Sequence, residues 1–225
     1  MEGKVKVGEA LREAFAIYRA QARMLLPLAF ALFLVVAVVN HVVPTGFAAF
    51  VIPMIFSTFV QTLYEGMVVS LVREVRAGRR VSSVGDLVRP VLPVLGPLFG
   101  AGILAGLGIG LGLALLAVPG LYLMTIWAVI APAIVVEDRD VMEAFGRSRE
   151  LVRGNGWRVF AIIVLIVGLI TLLFGLAFIL FVNQISTNVL VRIAASTLSH
   201  TITAPIEALV ASVLYFRLVE LKRQA

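Results

Sequence analysis

Long apolar runs constrain this chain more than any other feature. Residues 24–43, 47–73, 91–117, 121–136, 157–182 and 189–218 are each dominated by Leu, Val, Ile, Ala, Phe and Gly. A helix needs about 20 such residues to cross a hydrocarbon core about 30 Å thick. No water reaches backbone N–H and C=O groups inside that core, so a spanning segment must satisfy them itself, and runs without period-two alternation specify helices. The predicted fold class is an all-α integral membrane protein, with six transmembrane helices in one polytopic domain covering residues 1–225.

Composition narrows the function classes. Apolar residues make up 61% of the chain and charged residues 14%, far from the globular balance. The net charge is +6, but the basic residues lie between the apolar runs, so the expected partners are the phospholipid bilayer and its anionic headgroups. Nucleic acid is not expected, and a homo-oligomer or a membrane complex is left open. There is no Cys, and the 2 histidines, His41 and His200, belong to distant parts of the chain. No metal site or cofactor is expected.

Two charged segments are amphipathic at helical spacing. Residues 4–23 gather Val7, Leu11, Phe15 and Tyr18 on one side, and residues 140–153 gather Val141, Ala144, Phe145, Ser148, Leu151 and Val152. Both are predicted as interfacial helices lying on the cytosolic headgroups, the second capped by Asp140, ended by Gly154-Asn155-Gly156 and followed by Trp157 as an interface anchor. Ser82 or Ser83 is expected to cap a short helix before the third span, Pro119-Gly120 to form a tight hairpin, and Pro205 to kink the last helix. Of the 19 Lys and Arg residues, 18 fall in segments assigned to one side and only Arg192 on the other. Both termini are therefore expected in the cytoplasm, at a membrane of the bacterial inner-membrane type.

The segments VGEALREAF from Val7, VGDLVRPVL from Val84 and VMEAFGRSR from Val141 align as three pseudo-repeated units, each preceding a helical hairpin. A true repeat and a shared way of starting amphipathic helices both explain the alignment. The third span carries GxxxG spacings at Gly96/Gly100, Gly102/Gly106/Gly110 and Gly108/Gly112, a glycine zipper that permits close helix packing.

The candidate site is intramembrane and polar. Glu65 and Glu207 lie inside apolar runs, where a charge costs about 2.5–3.5 kcal/mol on insertion scales. Thr58 and Gln61 share a helical face with Glu65, and Ser196, His200 and Thr203 with Glu207. Counting back from Arg73 and Arg217, both acids sit roughly 12–15 Å inside the membrane boundary, at one depth. A proton, cation or amine site and a hydrogen-bonded packing layer are both open readings, with His200 read as a hydrogen-bond partner. On the outer side Asn183, Asn188 and Ser196 continue the stripe of the sixth helix, and no second span is expected to match it. Arg147, Arg149, Arg153 and Arg158 are candidate contacts for a headgroup or other anion, with Arg149 at the edge of the apolar arc and able to reach the acids. No nucleophile elbow, phosphate-binding Gly-Lys loop, HExxH or dinucleotide fingerprint is present, so catalytic residues are expected to be absent.

VPGLYL at 118–123, APAIVVED at 131–138, EAFGRSRELVRGNGWRVF at 143–160 and PIEALVASVLYFRL at 205–218 together resemble the membrane domain associated with bacterial glycerophosphoryl diester phosphodiesterases, and related stand-alone six-helix membrane proteins. That resemblance implies a six-span domain, in some members fused to a soluble catalytic barrel. No position here corresponds to the barrel's catalytic residues, and no phosphodiesterase activity is expected. Gly156 stands where the family pattern leads one to expect an aromatic residue, and Thr125-Ile126-Trp127 lacks an expected basic residue. The function expected is non-enzymatic: handling or sensing of lipid or an amphiphile, or service as an accessory subunit of an envelope or transport complex. The alternative is a secondary transporter or channel that uses the Glu65/Glu207 layer.

Overall fold

The computed structural model describes residues 4–42, 47–81, 83–163, 168–177 and 188–224. Six helical stretches are long and apolar enough to cross a membrane, and the described residues hold no strand. The protein is an all-α, multi-pass membrane protein. In chain order the helices are α1 (Val7–Val42), α2 (Phe47–Arg76), α3 (Val84–Val88), α4 (Leu95–Leu115), α5 (Ala117–Ile126), α6 (Ile130–Glu137), α7 (Val141–Val152), α8 (Gly156–Phe160), α9 (Gly168–Ala177) and α10 (Val189–Arg223).

The predicted interfacial helix 4–23 and span 24–43 are one helix, α1, unbroken through Pro27. At 36 residues it is about 54 Å long, more than the hydrocarbon core requires. Its head does not stand apart. Ala10, Ala14 and Ile17 are buried, and the helix packs along α10. Small residues bring the two backbones together, and charged residues above them lock the register. Arg217 of α10 donates to Glu13 Oε2 at 2.9 Å and to Glu9 at 3.3 Å, while Arg76 of α2 donates to Glu13 Oε1 at 2.8 Å and to Glu220 at 2.7 Å. These four acid contacts bring the head of α1 and the last turns of α2 and α10 to one end of the bundle, so the first and last described helices begin and end there.

α2 and α10 are the centre. Residues 66–72 of α2 are all buried, and Ala208–Val210 and Ser212–Tyr215 are buried on α10. The outer face of α4 differs: Leu104, Leu107, Leu111 and Leu115 repeat at helical spacing and are exposed, as a surface solvated by lipid requires.

The predicted hairpin at Pro119-Gly120 lies three residues earlier. The chain turns at Leu116, which is extended at φ −157° and ψ 136°, and Pro119 sits in the first turn of α5, where a missing N–H costs no helical bond. The glycines explain the tightness. A Cβ on Gly112 would lie 2.8 Å from the Gly120 nitrogen, and one on Gly120 would lie 2.6 Å from the Leu113 nitrogen. Gly108 is likewise filled by Trp127 and Gly102 by Thr62, whereas Gly96, Gly106 and Gly110 face open space. Close packing inside the chain thus uses Gly102, Gly108 and Gly112.

Span four is not the continuous helix 121–136. It breaks between α5 and α6 at Trp127–Val129. Pro132 contributes to the break, since it cannot donate to the Ala128 carbonyl, a loss that α1 and α10 tolerate at Pro27 and Pro205. α7 matches the predicted helix 140–153, and the predicted apolar arc is its inner face: Ala144, Ser148, Leu151 and Val152 are buried. That face is spent on α4, α5, α6 and α10 and not on lipid headgroups. Asp140 stands at the N-cap and its carbonyl accepts from Ala144 N at 2.9 Å, but its side chain makes no cap bond. Ser83 caps α3 in a reciprocal box with Asp86. Ser82, residues 43–46 between the first two spans, Asn183 and the end of span five at 178–182 lie outside the described residues. α10 runs unbroken past Pro205. Val7, Val84 and Val141 each open a helix, but those helices have 36, 5 and 12 residues.

The glycine contacts make a direct prediction. Gly112→Ala should destabilise the protein in mild detergent by about 1–3 kcal/mol through overpacking, whereas Gly110→Ala should be neutral or slightly stabilising. Equal melting temperatures for the two variants would contradict the hairpin geometry.

Candidate functional site

The break in span four forms one wall of a large cavity. Its loose backbone is held from α7: Ser148 Oγ donates to Ile126 O at 2.8 Å and accepts from Val129 N at 3.3 Å. Trp127 then packs edge-on against Phe145, with ring centroids 4.8 Å apart. A hydroxyl on the apolar arc of α7 thus satisfies a donor and an acceptor that the missing helical turn releases, in a place where an unsatisfied group costs several kcal/mol. Ser148 belongs to the arc read from the sequence, but its role was not visible there. The signal would have been a lone Ser on a buried helix face, close in the chain to a proline that breaks a span.

With the helix interrupted, a cavity of about 760 Å³ opens between α2, α4, α6, α9 and α10. Apolar side chains and glycines dominate its lining, including Leu98, Ala105, Trp127, Ile163 and Leu172. Glu65 from α2 and Glu207 from α10, the two acids placed at one depth by sequence, both line this cavity. The volume lies in the range of small-molecule sites, about 300–1,000 Å³.

Two further chambers of about 440 Å³ each adjoin it. One is lined by Ser196, Ser199, Thr203 and Glu207, the other by Asn40, Ser57, Thr58 and Glu65, and both share Gln61 and His200. Thr58, Gln61, Glu65, Ser196, His200, Thr203 and Glu207, the polar residues singled out from the sequence, therefore all line these adjoining spaces. Gln61 Nε2 donates to Glu65 Oε1 at 3.2 Å. Thr58 and Thr203 each donate to their own helix, at Met54 O and Ser199 O, which leaves their oxygen lone pairs to face the chambers. His200 lies flat against Phe33, ring centroids 5.3 Å apart, where a hydrogen-bonding role was expected. The expectation that no second span matches the outer half of α10 is corrected: Asn40 of α1 and Ser57 and Thr58 of α2 supply it, and Ser57 Oγ reaches Asn40 Oδ1 at 3.5 Å.

The arginines divide. Arg147 donates to Glu137 at 2.9 Å and to Glu150 at 3.0 Å, and Tyr215 adds a 2.7 Å bond to the same Glu137. Burial works against the Arg147 charge, but its bonds to Glu137 and Glu150 outweigh that and raise its pKa above the ordinary value. Arg158 donates to Val5 O at 3.1 Å, and Asn155 Oδ1 accepts from Val5 N at 3.0 Å, so the Gly154-Asn155-Gly156 turn is pinned to the start of the chain. These two cations are engaged by the fold. Arg149 and Arg153 are exposed. Among the described residues no group of three His, Cys, Asp or Glu is arranged to hold a metal ion.

Fold and site together define a six-helix membrane protein with an intramembrane cavity and a carboxylate layer in its wall. The chain belongs to the family described as a domain of unknown function (DUF7847), whose model matches residues 5–220. No curated protein matches the chain, and no solved structure does.

Two carboxylates on one wall of low dielectric should be energetically coupled. In a cycle of Glu65→Gln, Glu207→Gln and the double variant, the double should depart from the sum of the singles by more than about 0.5 kcal/mol in thermal or denaturant unfolding. Strict additivity would mean that the two acids do not sense each other.

Proposed function

We propose that this chain is a non-enzymatic membrane protein that binds an amphiphile inside the bilayer, in order to handle or sense it. One observation carries the reading: the 760 Å³ cavity is apolar over most of its lining and has carboxylates at one side, where it meets chambers lined by Asn, Gln, Ser, Thr and His. Such a division matches a ligand with an apolar body and a polar end. The likeness of the 118–123 and 143–160 segments to the membrane domain associated with glycerophosphoryl diester phosphodiesterases agrees with a lipid-related role. On charge placement the shared end of the termini is cytoplasmic, in a membrane of the bacterial inner-membrane type, and exposed Arg149, Arg153 and Trp157 meet its headgroups.

A second reading, secondary transport, is favoured by the polar residues that α1 and α2 add outside the acid layer. Asn40, Ser57, Thr58, Gln61 and Glu65 then form an outer half-path to the layer.

Native mass spectrometry from mild detergent tests binding. The wild type should retain a small-molecule adduct in stoichiometric amount, and Ala105→Leu, which fills the junction of cavity and chamber, should lose most of it. Bare protein in both samples, or an adduct unchanged by the variant, would contradict the reading.

A further inference from the structure

The shape of the cavity and the chemistry of its junction narrow the ligand class, an argument that rests on the amphiphile reading above. The apolar cavity and the chamber toward Asn40 share four lining residues: Thr62, Glu65, Gly102 and Ala105. They are two lobes of one space, and Glu65 is the ionisable residue at the neck. Gly102 lets α4 pack tightly on α2 at the neck, because a Cβ there would lie 2.5 Å from the Thr62 methyl carbon.

We infer that the ligand carries an amine head, held at the neck by Glu65 with its apolar chain running into the lobe lined by Trp127 and Leu172. Three features of the geometry point the same way. No Lys or Arg stands among the described lining residues of the cavity or of either chamber, so an anionic head would meet Glu65 with no cation beside it. Gln61 commits its amide N–H to Glu65 Oε1, which presents the carboxylate as an oriented acceptor. An ammonium is donor-only, and around the neck it finds acceptors: the Glu65 carboxylate, the Gln61 carbonyl oxygen and the Thr58 and Thr62 hydroxyl oxygens, whose own protons go to helix carbonyls. A neutral polyol head brings acceptors as well as donors, and at the neck the Thr58 and Thr62 protons are already committed to helix carbonyls.

The chain's 2 tryptophans allow a direct readout. Trp127 lines the cavity, whereas Trp157 is 82% exposed, so Trp157→Phe leaves an emitter in the cavity wall. In lipid nanodiscs this variant is titrated with three probes that share a bromine-tagged dodecyl chain and differ in head: primary amine, glucoside and carboxylate. The amine should quench Trp127 saturably, at a concentration about ten-fold lower than the other two. Adding Glu65→Gln should reduce that preference to about three-fold or less, and Glu65→Asp should retain it. If Glu65→Gln does not fold, the head comparison in the Trp157→Phe parent decides alone. Saturable quenching by all three heads at similar concentrations, or tightest binding of the carboxylate or glucoside, overturns the amine assignment and leaves the amphiphile reading standing. No saturable quenching by any probe overturns both.

Discussion

The constraint on which the structure depends is that backbone polar groups inside a bilayer must be satisfied by the protein itself. Span four violates helical continuity at Trp127–Val129, and a side chain from outside the span, Ser148, repairs the breach. The site follows from that repair. A continuous helix would carry its side chains past α4 and α10 in regular ridges, whereas the break sets Trp127 against Phe145 and Gly108 in the cavity wall and leaves the volume beside Glu65 and Glu207 unfilled. The amphipathic helix α7 is therefore a structural partner of the cavity wall.

A second level of organisation is the division of labour along α2 and α10. Toward the end where α1 begins and α10 ends both helices are packed dry, with Met67–Val72 and Ser212–Tyr215 buried, and the assembly closes with Arg76 and Arg217 shared among Glu9, Glu13 and Glu220. Each of these pairs is partly exposed and contributes modestly alone, about 1 kcal/mol or less. Shared acceptors fix three helix ends at once, which is geometric information more than energy. Toward the other end the same two helices carry Ser57, Thr58, Gln61, Ser196 and His200, and cavities replace packing. The acid layer lies where the two regimes meet.

Much of this was legible in the sequence, because lipid simplifies the code. The six spans follow from run length, the inner face of α7 from its period, and the approach of Glu65 and Glu207 to one cavity from rise per residue. What was not legible depends on tertiary partners. Nothing between Arg23 and Met24 ends a helix, so the amphipathic head and the span are one element, and the head's apolar side met α10 before it met lipid. The chain turn at Leu116 depends on how closely Gly112 and Gly120 approach, which no local propensity encodes. Arg147 and Arg158 read as free cations until Glu137 and Val5, distant in sequence, are placed beside them. Asn40 escaped notice because it lies on α1, far in sequence from the acids whose chamber it lines.

The central claim is that Ser148 holds the broken span that walls the cavity, and amide hydrogen exchange at residues 127–130 tests it most directly. In the wild type the Val129 and Ile130 amides should be protected to within about ten-fold of neighbouring α6 amides. In Ser148→Ala they should exchange at least about ten-fold faster, while protection across Met67–Val72 of α2 is unchanged. Unaltered protection at Val129 in the variant, or loss spread evenly over the whole bundle, would contradict the account.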